Sequence, residues 1–331
     1  MVGPYSVGRN AGRRYRLAMN LVLGHGGNRV RWSAVPERIR ASVDSFLGSP
    51  VVSARSQPGG FSPALAARLS LADGRGAFVK AVGPEPNPDS AGFYRREAAI
   101  SAALPAAAPV PRLLGSWELD GWVVLVFEEV DGRTPELPWR PDQLRRVLDA
   151  LPRLWSALTP APVQAPSTVD IMTEGFTGWA KVRPDERLDP WAARNLDRLA
   201  DLAARGGAAC AGHTLVHGDL RADNLLLTAE DVIFVDWPAA VLAAPWFDLL
   251  AFLPSVVLQG GPDPESVLAE HEVSRRVDPD RITAVLAGFT GYFVTGALRP
   301  PVPGLPQLRE FQRLQGEVAL RWLRRRLPGW R

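Results

Sequence analysis

The sequence predicts an α+β protein with two lobes: a small N-terminal lobe with an antiparallel sheet and one helix, and a larger, mostly helical C-terminal lobe. Its 331 residues are more than one compact core usually holds. Up to residue 130 the pattern consists mainly of short apolar strands and tight turns, and after Asp131-Gly132 it becomes mainly helical. Strands followed by a run of helices are typical of the α+β class.

The N-terminal part contains the signals for the sheet. Residues 1–30 show no sustained hydrophobic period and are predicted to be a disordered extension, whereas 31–50 carry a helical stripe that ends at Gly48. The predicted N-lobe, 51–130, contains one helix that begins near residue 89. Strands are expected at 51–56, 64–71, 76–82, 112–118 and 122–128, with Asp-Gly turns at 73–74 and 120–121.

The predicted C-lobe, 131–331, is mainly helical. Residues 217–237 break its pattern with two short strands, 224–228 and 232–235, joined by a turn. We therefore expect a hairpin inserted among the helices. Helices are predicted at 141–158, 189–206, 246–258, 280–297 and 306–326.

The composition excludes several classes of protein. Hydrophobic residues make up 46% and charged residues 22%, which is an ordinary globular balance. The longest apolar run, 249–258, is short of a bilayer-spanning length and contains Pro254, so no membrane segment is expected. The single cysteine, Cys210, permits no internal disulfide and agrees with a reducing cytoplasm.

Charge is distributed unevenly along the chain. Residues 1–40 carry eight Arg and one Glu, and 319–331 carry five Arg, so a net charge of +3 leaves the body between them acidic. An acidic body points to a cationic substrate, and no nucleic-acid recognition motif accompanies the basic ends. Of 38 basic residues only Lys80 and Lys181 are lysines, which indicates positions that need a compact ammonium group.

The sequence signal most specific for chemistry lies in two neighbouring segments. Residues 217–224 read HGDLRADN and 232–237 read VIFVDW, so Asp219 is followed by Asn224 and then by Asp236 at the end of a strand. Phosphoryl transfer needs such a set, because one carboxylate accepts the hydroxyl proton while an amide and a second carboxylate hold magnesium on the phosphate oxygens. The alternative is a polar hairpin turn, which the joint pattern disfavours.

These segments resemble the catalytic loop of the aminoglycoside phosphotransferase family, which has a protein-kinase-like fold and includes choline kinase-like enzymes. The resemblance covers roughly residues 50–255. It implies that Asp219 is the catalytic base and that Asn224 and Asp236 are the magnesium ligands. Arg221 occupies the position where protein kinases commonly have a lysine near the γ-phosphate, which implies a catalytic role, although arginine and lysine are not equivalent.

The same resemblance extends to the N-lobe. Lys80, in the strand AFVKAV (77–82), resembles the strand lysine of kinases, and Glu97 on the next helix would pair with it and direct its ammonium to the α- and β-phosphates. A solvated strand edge and a solvated helix face are the alternatives. The glycine-containing segment 57–63 has the position of the phosphate-covering loop, with Gly59, Gly60 and Ser62 as candidate nucleotide contacts.

Two further positions match the family pattern. Glu128 and Val130 resemble the interlobe hinge, whose backbone pairs with adenine. Asp248 resembles a downstream aspartate that supports the catalytic loop, a structural role. The chain differs from many family members at 238–241, which read PAAV where an acid often follows Asp-Trp, so substrate contacts are expected to differ.

Together these patterns predict a cytoplasmic, ATP- and magnesium-dependent kinase for a small-molecule hydroxyl. An aminoglycoside or related aminated natural product is the expected acceptor, with a role in antibiotic resistance. Candidate contacts to such an acceptor are Asp170, Glu174, Glu265 and Glu317. A kinase of another hydroxylated metabolite (choline, homoserine or sugar type) and a non-catalytic nucleotide-binding regulator stay open. Nucleic-acid and membrane partners are not expected.

Overall fold

The N-terminal part of the protein is built on an antiparallel sheet. The computed structural model describes residues 29–57, 64–84, 89–302 and 305–330. Its first strands are β1 (Val51–Ser56), β2 (Leu65–Leu71), β3 (Gly76–Val82), β4 (Leu113–Leu119) and β5 (Trp122–Glu128). Within the described residues these five strands pair in the order β1-β2-β3-β5-β4. The predicted strands and Asp-Gly turns are confirmed to within a residue.

Helices cover both faces of this sheet. On one face, α1 (Glu37–Leu47) buries Ile39, Val43 and Leu47 against inward side chains of β2, β3 and β5. On the other face, α2 (Asp89–Ala103) packs against β3 and β5. Because side chains alternate along a strand, Lys80 lies on the face of β3 that α2 covers.

The sequence predicts a helical stripe of Val35, Ile39, Val43, Phe46 and Leu47, and the structure differs from it at Phe46. Phe46 is 45% exposed and contacts the Trp117 ring, with the ring centroids 5.0 Å apart. It lies over Gly115, where a Cβ would overlap its ring, and so packs on the outer strand β4 rather than in the core. The helix ends at Gly48, as predicted, in the left-handed conformation with φ of 69°.

The rest of the described chain is mainly helical. Its helices are α3 (Pro141–Ala157), α4 (Thr168–Gly175), α5 (Gly178–Lys181), α6 (Pro190–Arg194), α7 (Leu196–Ala204), α8 (Gly206–Ala209), α9 (Trp246–Leu258), α10 (Pro264–Glu270), α11 (Pro279–Ala297) and α12 (Leu308–Arg326). The prediction of one helix over 189–206 is wrong. The chain breaks at Asn195, whose side-chain amide donates to the Trp191 carbonyl at 2.9 Å, and again at Arg205.

Short strands interrupt the helices around residues 214–243. They are β6 (Thr214–Val216), β7 (Leu225–Leu227), β8 (Val232–Phe234) and β9 (Val241–Ala243). The predicted hairpin of β7 and β8 is confirmed, with Leu225 opposite Phe234, whereas the β6–β9 pair was not predicted. Their apolar side chains lie in the core of the helical part, which holds the loops between them in place.

These findings confirm the α+β class with an antiparallel sheet and a helical C-terminal part. The division at residues 130–131 stays a prediction, as does the extension at 1–30, of which residues 1–28 lie outside the described chain. In the part of the chain that the structure describes, no helix is long and apolar enough to cross a membrane.

Candidate active site

The β7–β8 hairpin brings Asn224 and Asp236 to the same end. Asn224 immediately precedes β7, and Asp236 follows β8 by two residues. The backbone N–H of Val235 donates to the Asn224 carbonyl at 3.0 Å, which extends the hairpin register by one residue. The two predicted magnesium ligands are therefore brought to one end of the hairpin by main-chain hydrogen bonds.

Asp219 is linked directly to Asn224. The Asn224 amide nitrogen donates to the Asp219 carbonyl at 2.8 Å and lies 3.4 Å from its Oδ2. These contacts orient the amide so that its nitrogen faces Asp219, which leaves the amide oxygen for another partner. The Asp219 carboxyl is 41% exposed, so it is accessible from outside the protein. Its pKa is raised by burial among protein atoms and by the nearby Asp223, while Arg221 opposes this shift.

A buried carboxylate fixes the backbone on which Asp219 stands. Asp248, at the start of α9, is fully buried and accepts the N–H of His217 and the N–H of Gly218, each at 2.8 Å. It also accepts the indole N–H of Trp155 at 3.2 Å. Burial raises the pKa of Asp248, and the nearby His217 opposes that shift. These contacts agree with the predicted supporting role.

The His217 ring links the loop to the hairpin. Its Nδ1 accepts the N–H of Asp219 at 3.3 Å, which assigns the proton to Nε2, and Nε2 donates to the Val235 carbonyl at 2.9 Å. Next to it, Gly218 has φ of +78°, and a Cβ there would overlap the Ala239 carbonyl oxygen. Only glycine suits this position, because both the backbone conformation and the space exclude a side chain.

Lys80 joins the sheet to the hairpin. Its ammonium donates to Glu97 on α2 and to Oδ1 of Asp236 at 2.6 Å, across 156 residues of chain. Glu97 is almost fully buried, and burial raises its pKa to about 7 against the opposing charge of Lys80. Burial alone would raise the pKa of Asp236, but the charge and hydrogen bond of Lys80 lower it to about 2. Burial acts to lower the pKa of Lys80, yet the two carboxylates more than offset this and raise it.

Arg221 is buried and contacts two carboxylates of the catalytic loop, those of Asp219 and Asp223. Its Nε and Nη2 donate to the two oxygens of Asp223 at 3.0 and 2.8 Å, and both side chains are buried. Its Nη1 is 3.6 Å from Asp219 Oδ2. In this geometry Arg221 positions and neutralises the loop carboxylates. The contact with a γ-phosphate stays a prediction.

The predicted hinge follows β5. The N–H of Glu128 donates to the Arg112 carbonyl at 3.0 Å, so an adenine contact by Glu128 would use its carbonyl. The Val130 carbonyl accepts from Arg68 at 2.7 Å and from the Gly132 N–H at 2.9 Å, so a contact by Val130 would use its N–H. This pair of one acceptor and one donor is complementary to the edge of adenine.

The structure thus brings together the predicted residues Lys80, Glu97, Asp219, Asn224 and Asp236. Predicted contacts Gly59, Gly60 and Ser62 lie outside the described residues. Two residues that organise the site were not predicted from the sequence. Asp223 binds Arg221, and its place inside the 217–224 motif was a usable signal. The Arg68 side chain donates to the carbonyls of Val130 and Gly132, and the sequence of β2 contains no signal that predicts this role.

The fold and the site define a class of protein. Kinase-like phosphotransferases have this arrangement. A lysine of the sheet pairs with a helix glutamate and also contacts the carboxylate at the end of a hairpin in the helical lobe. Consistent with this, the model of the phosphotransferase enzyme family (APH) matches residues 58–279, and the chain belongs to this family. The prediction of a small-molecule kinase is confirmed.

Solved structures share the fold at low sequence identity. A thermostable mutant of aminoglycoside phosphotransferase APH(4)-Ia, in complex with ADP and hygromycin B, is 15% identical, with a TM-score of 0.59 over 86% of this chain and 98% of its own. Amicoumacin kinase hAmiN, in complex with AMP-PNP, Ca2+ and Ami, is 12% identical, with a TM-score of 0.54 over 87% and 95%. A choline/ethanolamine kinase family protein from Mesorhizobium loti is 16% identical, with a TM-score of 0.54 over 86% and 99%. A search of curated protein sequences found no significant match.

Proposed function

We propose that the protein binds ATP with Mg2+ between its two lobes and transfers the γ-phosphate to a hydroxyl of a small molecule. One observation carries this proposal: Lys80 of the sheet contacts Asp236 at 2.6 Å, beside the linked pair Asp219 and Asn224. A lysine that binds phosphates, a carboxylate that binds metal and a carboxylate that accepts a proton would then lie around one cleft.

The nucleotide would be held at both ends. Glu97 fixes the Lys80 ammonium, which would contact the α- and β-phosphates. The Glu128 carbonyl and the Val130 N–H would pair with adenine, because Arg68 and Gly132 occupy the Val130 carbonyl. The choice of ATP over GTP stays a prediction. ADP or AMP-PNP is bound in the structures of APH(4)-Ia and hAmiN, which supports nucleotide binding at this fold.

The donor set fits magnesium rather than a metal held by protein alone. Among the described residues, no group of three or more His, Cys, Asp or Glu side chains could hold a metal ion. Asp236 and the amide oxygen of Asn224 would supply two oxygen ligands, and magnesium in proteins commonly completes its shell with phosphate oxygens and water. The bound ion would neutralise charge that develops on the transferring phosphate.

Asp219 is assigned to the transfer itself. Its carboxylate would accept the proton of the acceptor hydroxyl as the acceptor oxygen forms its bond to the γ-phosphorus. The bond from that phosphorus to the β,γ-bridging oxygen breaks, and its electron pair leaves with ADP. Arg221 and Asn224 hold Asp219 in place through contacts of 3.6 and 2.8 Å. An intact set of these groups argues against a non-catalytic regulator.

The acceptor is the open part of the proposal. Hygromycin B bound to APH(4)-Ia supports the prediction of an aminoglycoside-like acceptor, which stays a prediction, as do the cytoplasmic location and a role in resistance. The acids expected to bind a cation have other partners. Glu265 pairs with Arg326, Glu317 with Arg313, and Asp170 accepts from Ser167. The side chain of Glu174 lies outside the described part.

A screen for phosphorylation tests the proposal. Purified protein is incubated with ATP or GTP, with and without Mg2+, and with a panel of hydroxylated amines, antibiotics, sugars and acids, and ADP release and product mass are measured. We expect magnesium-dependent turnover. Asp219→Asn should lower it by about 10²–10⁴-fold while Mg-ATP affinity changes little, whereas Asp236→Ala should weaken Mg-dependent nucleotide binding.

The matched control is Asp201→Asn, at an exposed position of α7, which should behave like the unaltered protein. If the folded protein binds no Mg-nucleotide, or if Asp219→Asn turns over at the full rate, the assignment is refuted.

A further inference from the structure

The acceptor must reach Asp219 from the side of the C-terminal helices. In-line transfer places the attacking hydroxyl opposite the leaving oxygen of ADP. Since the nucleotide would lie under the sheet, next to Lys80, the acceptor would enter from the opposite side. The helices α11 and α12 form that side. The Arg221 guanidinium lies 5.2 Å from the ring centroid of Phe311 on α12, and that centroid lies 6.0 Å from the ring centroid of Phe293 on α11.

An exposed aromatic ring continues this path. The ring centroids of Phe293 and Tyr292 are 5.1 Å apart, and those of Tyr292 and Phe176 are 6.4 Å apart. Tyr292 is 43% exposed, although its neighbours Phe293 and Phe176 are buried. Burial and the Asp219 carboxylate raise the pKa of Tyr292, and the ring contacts that run from Arg221 through Phe311 and Phe293 lead from the proposed base to this tyrosine. A half-exposed tyrosine on this path is suited to hold a flat or apolar part of an acceptor.

Positive charge surrounds the same tyrosine. Arg299, just after α11, and Arg309, in the first turn of α12, both act on the Tyr292 phenol and lower its pKa. The Arg309 Nη1 donates to the Gln312 side chain at 2.7 Å, and the Gln312 side chain also lowers the pKa of the Tyr292 phenol. Arg299, Arg309, Gln312 and Tyr292 are called the arginine patch below.

The arginine patch has uncompensated charge. Within the described side chains, neither Arg299 nor Arg309 forms an ion pair with a carboxylate, unlike Arg221, which binds Asp223. The Arg309 Nε bonds the carbonyl of Pro300, which follows Arg299 in the chain, so two like charges lie near each other, and burial and the neighbouring Arg299 lower the pKa of Arg309. An anion bound between them would offset these like charges. The guanidinium of Arg299 can offer a fork that matches carboxylate and phosphate oxygens, whereas Arg309, whose Nε and Nη1 bond Pro300 and Gln312, would contribute its Nη2.

We infer that the acceptor carries an anionic group, a carboxylate or a phosphate, bound by Arg299 and Arg309, and an apolar part that packs on Tyr292 and places its hydroxyl at Asp219. This inference rests on the proposed function and specifies its substrate class. It differs from the polyamine acceptor that the acidic composition predicts. The inference follows the local pair of arginines rather than the net charge of the chain body.

A structural role explains only part of the patch. The Arg309 Nε donates to the Pro300 carbonyl at 2.8 Å, so this arginine also binds the chain just beyond α11. Arg299 is exposed, and among the described residues it forms no ion pair with a carboxylate. It is therefore the cleaner position for a test, and Arg309 is the second.

Binding measured by calorimetry separates the acceptor class from catalysis. The full-length protein with Mg-ADP is titrated with matched sets of hydroxylated aromatic compounds: the carboxylic acid, its phosphate ester counterpart, its neutral methyl ester and its amine analogue. We expect the acid or the phosphate to bind at least about tenfold more tightly than the ester and the amine. Preference between acid and phosphate identifies which anion the site takes.

Arg299→Gln and Arg309→Gln should each weaken binding of the anionic members about tenfold and leave the methyl ester and Mg-ATP unaffected. The control is Arg145→Gln at an exposed position of α3. Tighter binding of the amines, equal binding of acid and ester, no binding of any anion, or unchanged binding by Arg299→Gln overturns the inference. Anion binding without phosphorylation would refute the proposed function alone, and phosphorylation of amines with no anion binding would refute the inference alone.

Discussion

Replacing Asp248 by asparagine tests whether the catalytic loop depends on one buried carboxylate. Asp248 Oδ2 accepts from the His217 N–H at 2.8 Å and from the Trp155 indole at 3.2 Å, and Oδ1 accepts from the Gly218 N–H at 2.8 Å. An amide oxygen placed at Oδ2 keeps the first two bonds, but its NH2 group then faces the Gly218 N–H. The Gly218 N–H then loses its charge-assisted hydrogen bond and faces the new NH2 group, which is also a donor.

The magnitude follows from these contacts. A hydrogen bond to a charged group contributes about 1.5–3 kcal/mol, and an orphaned buried donor costs about 1–3 kcal/mol. Because a neutral amide also relieves the desolvation that raises the pKa of Asp248, we expect Asp248→Asn to lower the free energy of unfolding by about 2 kcal/mol. Asp248→Ala orphans all three donors and should cost clearly more, about 4 kcal/mol.

Urea unfolding at pH 7 measures both variants, with Asp201→Asn as the matched exposed control, which should stay within about 0.5 kcal/mol. Phosphoryl transfer should fall in Asp248→Asn even where the protein is fully folded, because the His217–Gly218 backbone positions Asp219. If Asp248→Asn unfolds at the same urea concentration as the control and keeps full turnover, the supporting role is refuted.

Two further changes probe the same site. Gly218→Ala should lower the free energy of unfolding by about 1–3 kcal/mol in urea, because φ is +78° and the new Cβ meets the Ala239 carbonyl; an unchanged midpoint would contradict this. In Lys80→Met, Glu97 loses the charge that opposes its raised pKa. Stability should then fall as pH rises from about 4.5 through 7 and beyond, by up to ~1.4 kcal/mol per pH unit. Urea unfolding at pH 5–8 should show a steeper slope in Lys80→Met than in Lys80→Met/Glu97→Gln, where only Asp236, which also loses Lys80, contributes; equal slopes in the two variants would contradict the assignment to Glu97.

Much of the proposed site could be predicted because its residues lie in short, regular elements. Asn224 and Asp236 flank a hairpin, so its register alone brings them together. Lys80 was marked by the scarcity of lysine and by its place in an apolar strand, and alternation along β3 turns it toward α2 and Glu97. Local periodicity gives the positions of these residues on their strands, whereas the pairing of Lys80 with Glu97 was implied by the resemblance to kinases.

The acceptor side could not be predicted in this way. Tyr292, Arg299 and Arg309 lie on or beside two helices that pack closely against each other, and which of their faces meets Asp219 depends on that packing. Helical periodicity describes the buried face of each helix but not its rotation relative to a distant loop. For the same reason the break at Asn195 was missed, since a side chain that binds the backbone ends the helix locally.

The charges of the side chains around the proposed site affect both the binding of the nucleotide and the binding of the acceptor. Around the cleft the described side chains of Glu97, Asp219 and Asp236 are acidic, Lys80 is shared by two of them, and Arg221 is largely balanced by Asp223. A triphosphate would add further negative charge, so we expect nucleotide binding here to depend on a divalent cation and to weaken when Mg2+ is chelated. That same negative field would repel an anionic acceptor, and an arginine pair placed beyond Tyr292 would hold the anion away from the carboxylates while its hydroxyl reaches Asp219. An acceptor bound in this way would be long enough to separate its charge from its reacting oxygen.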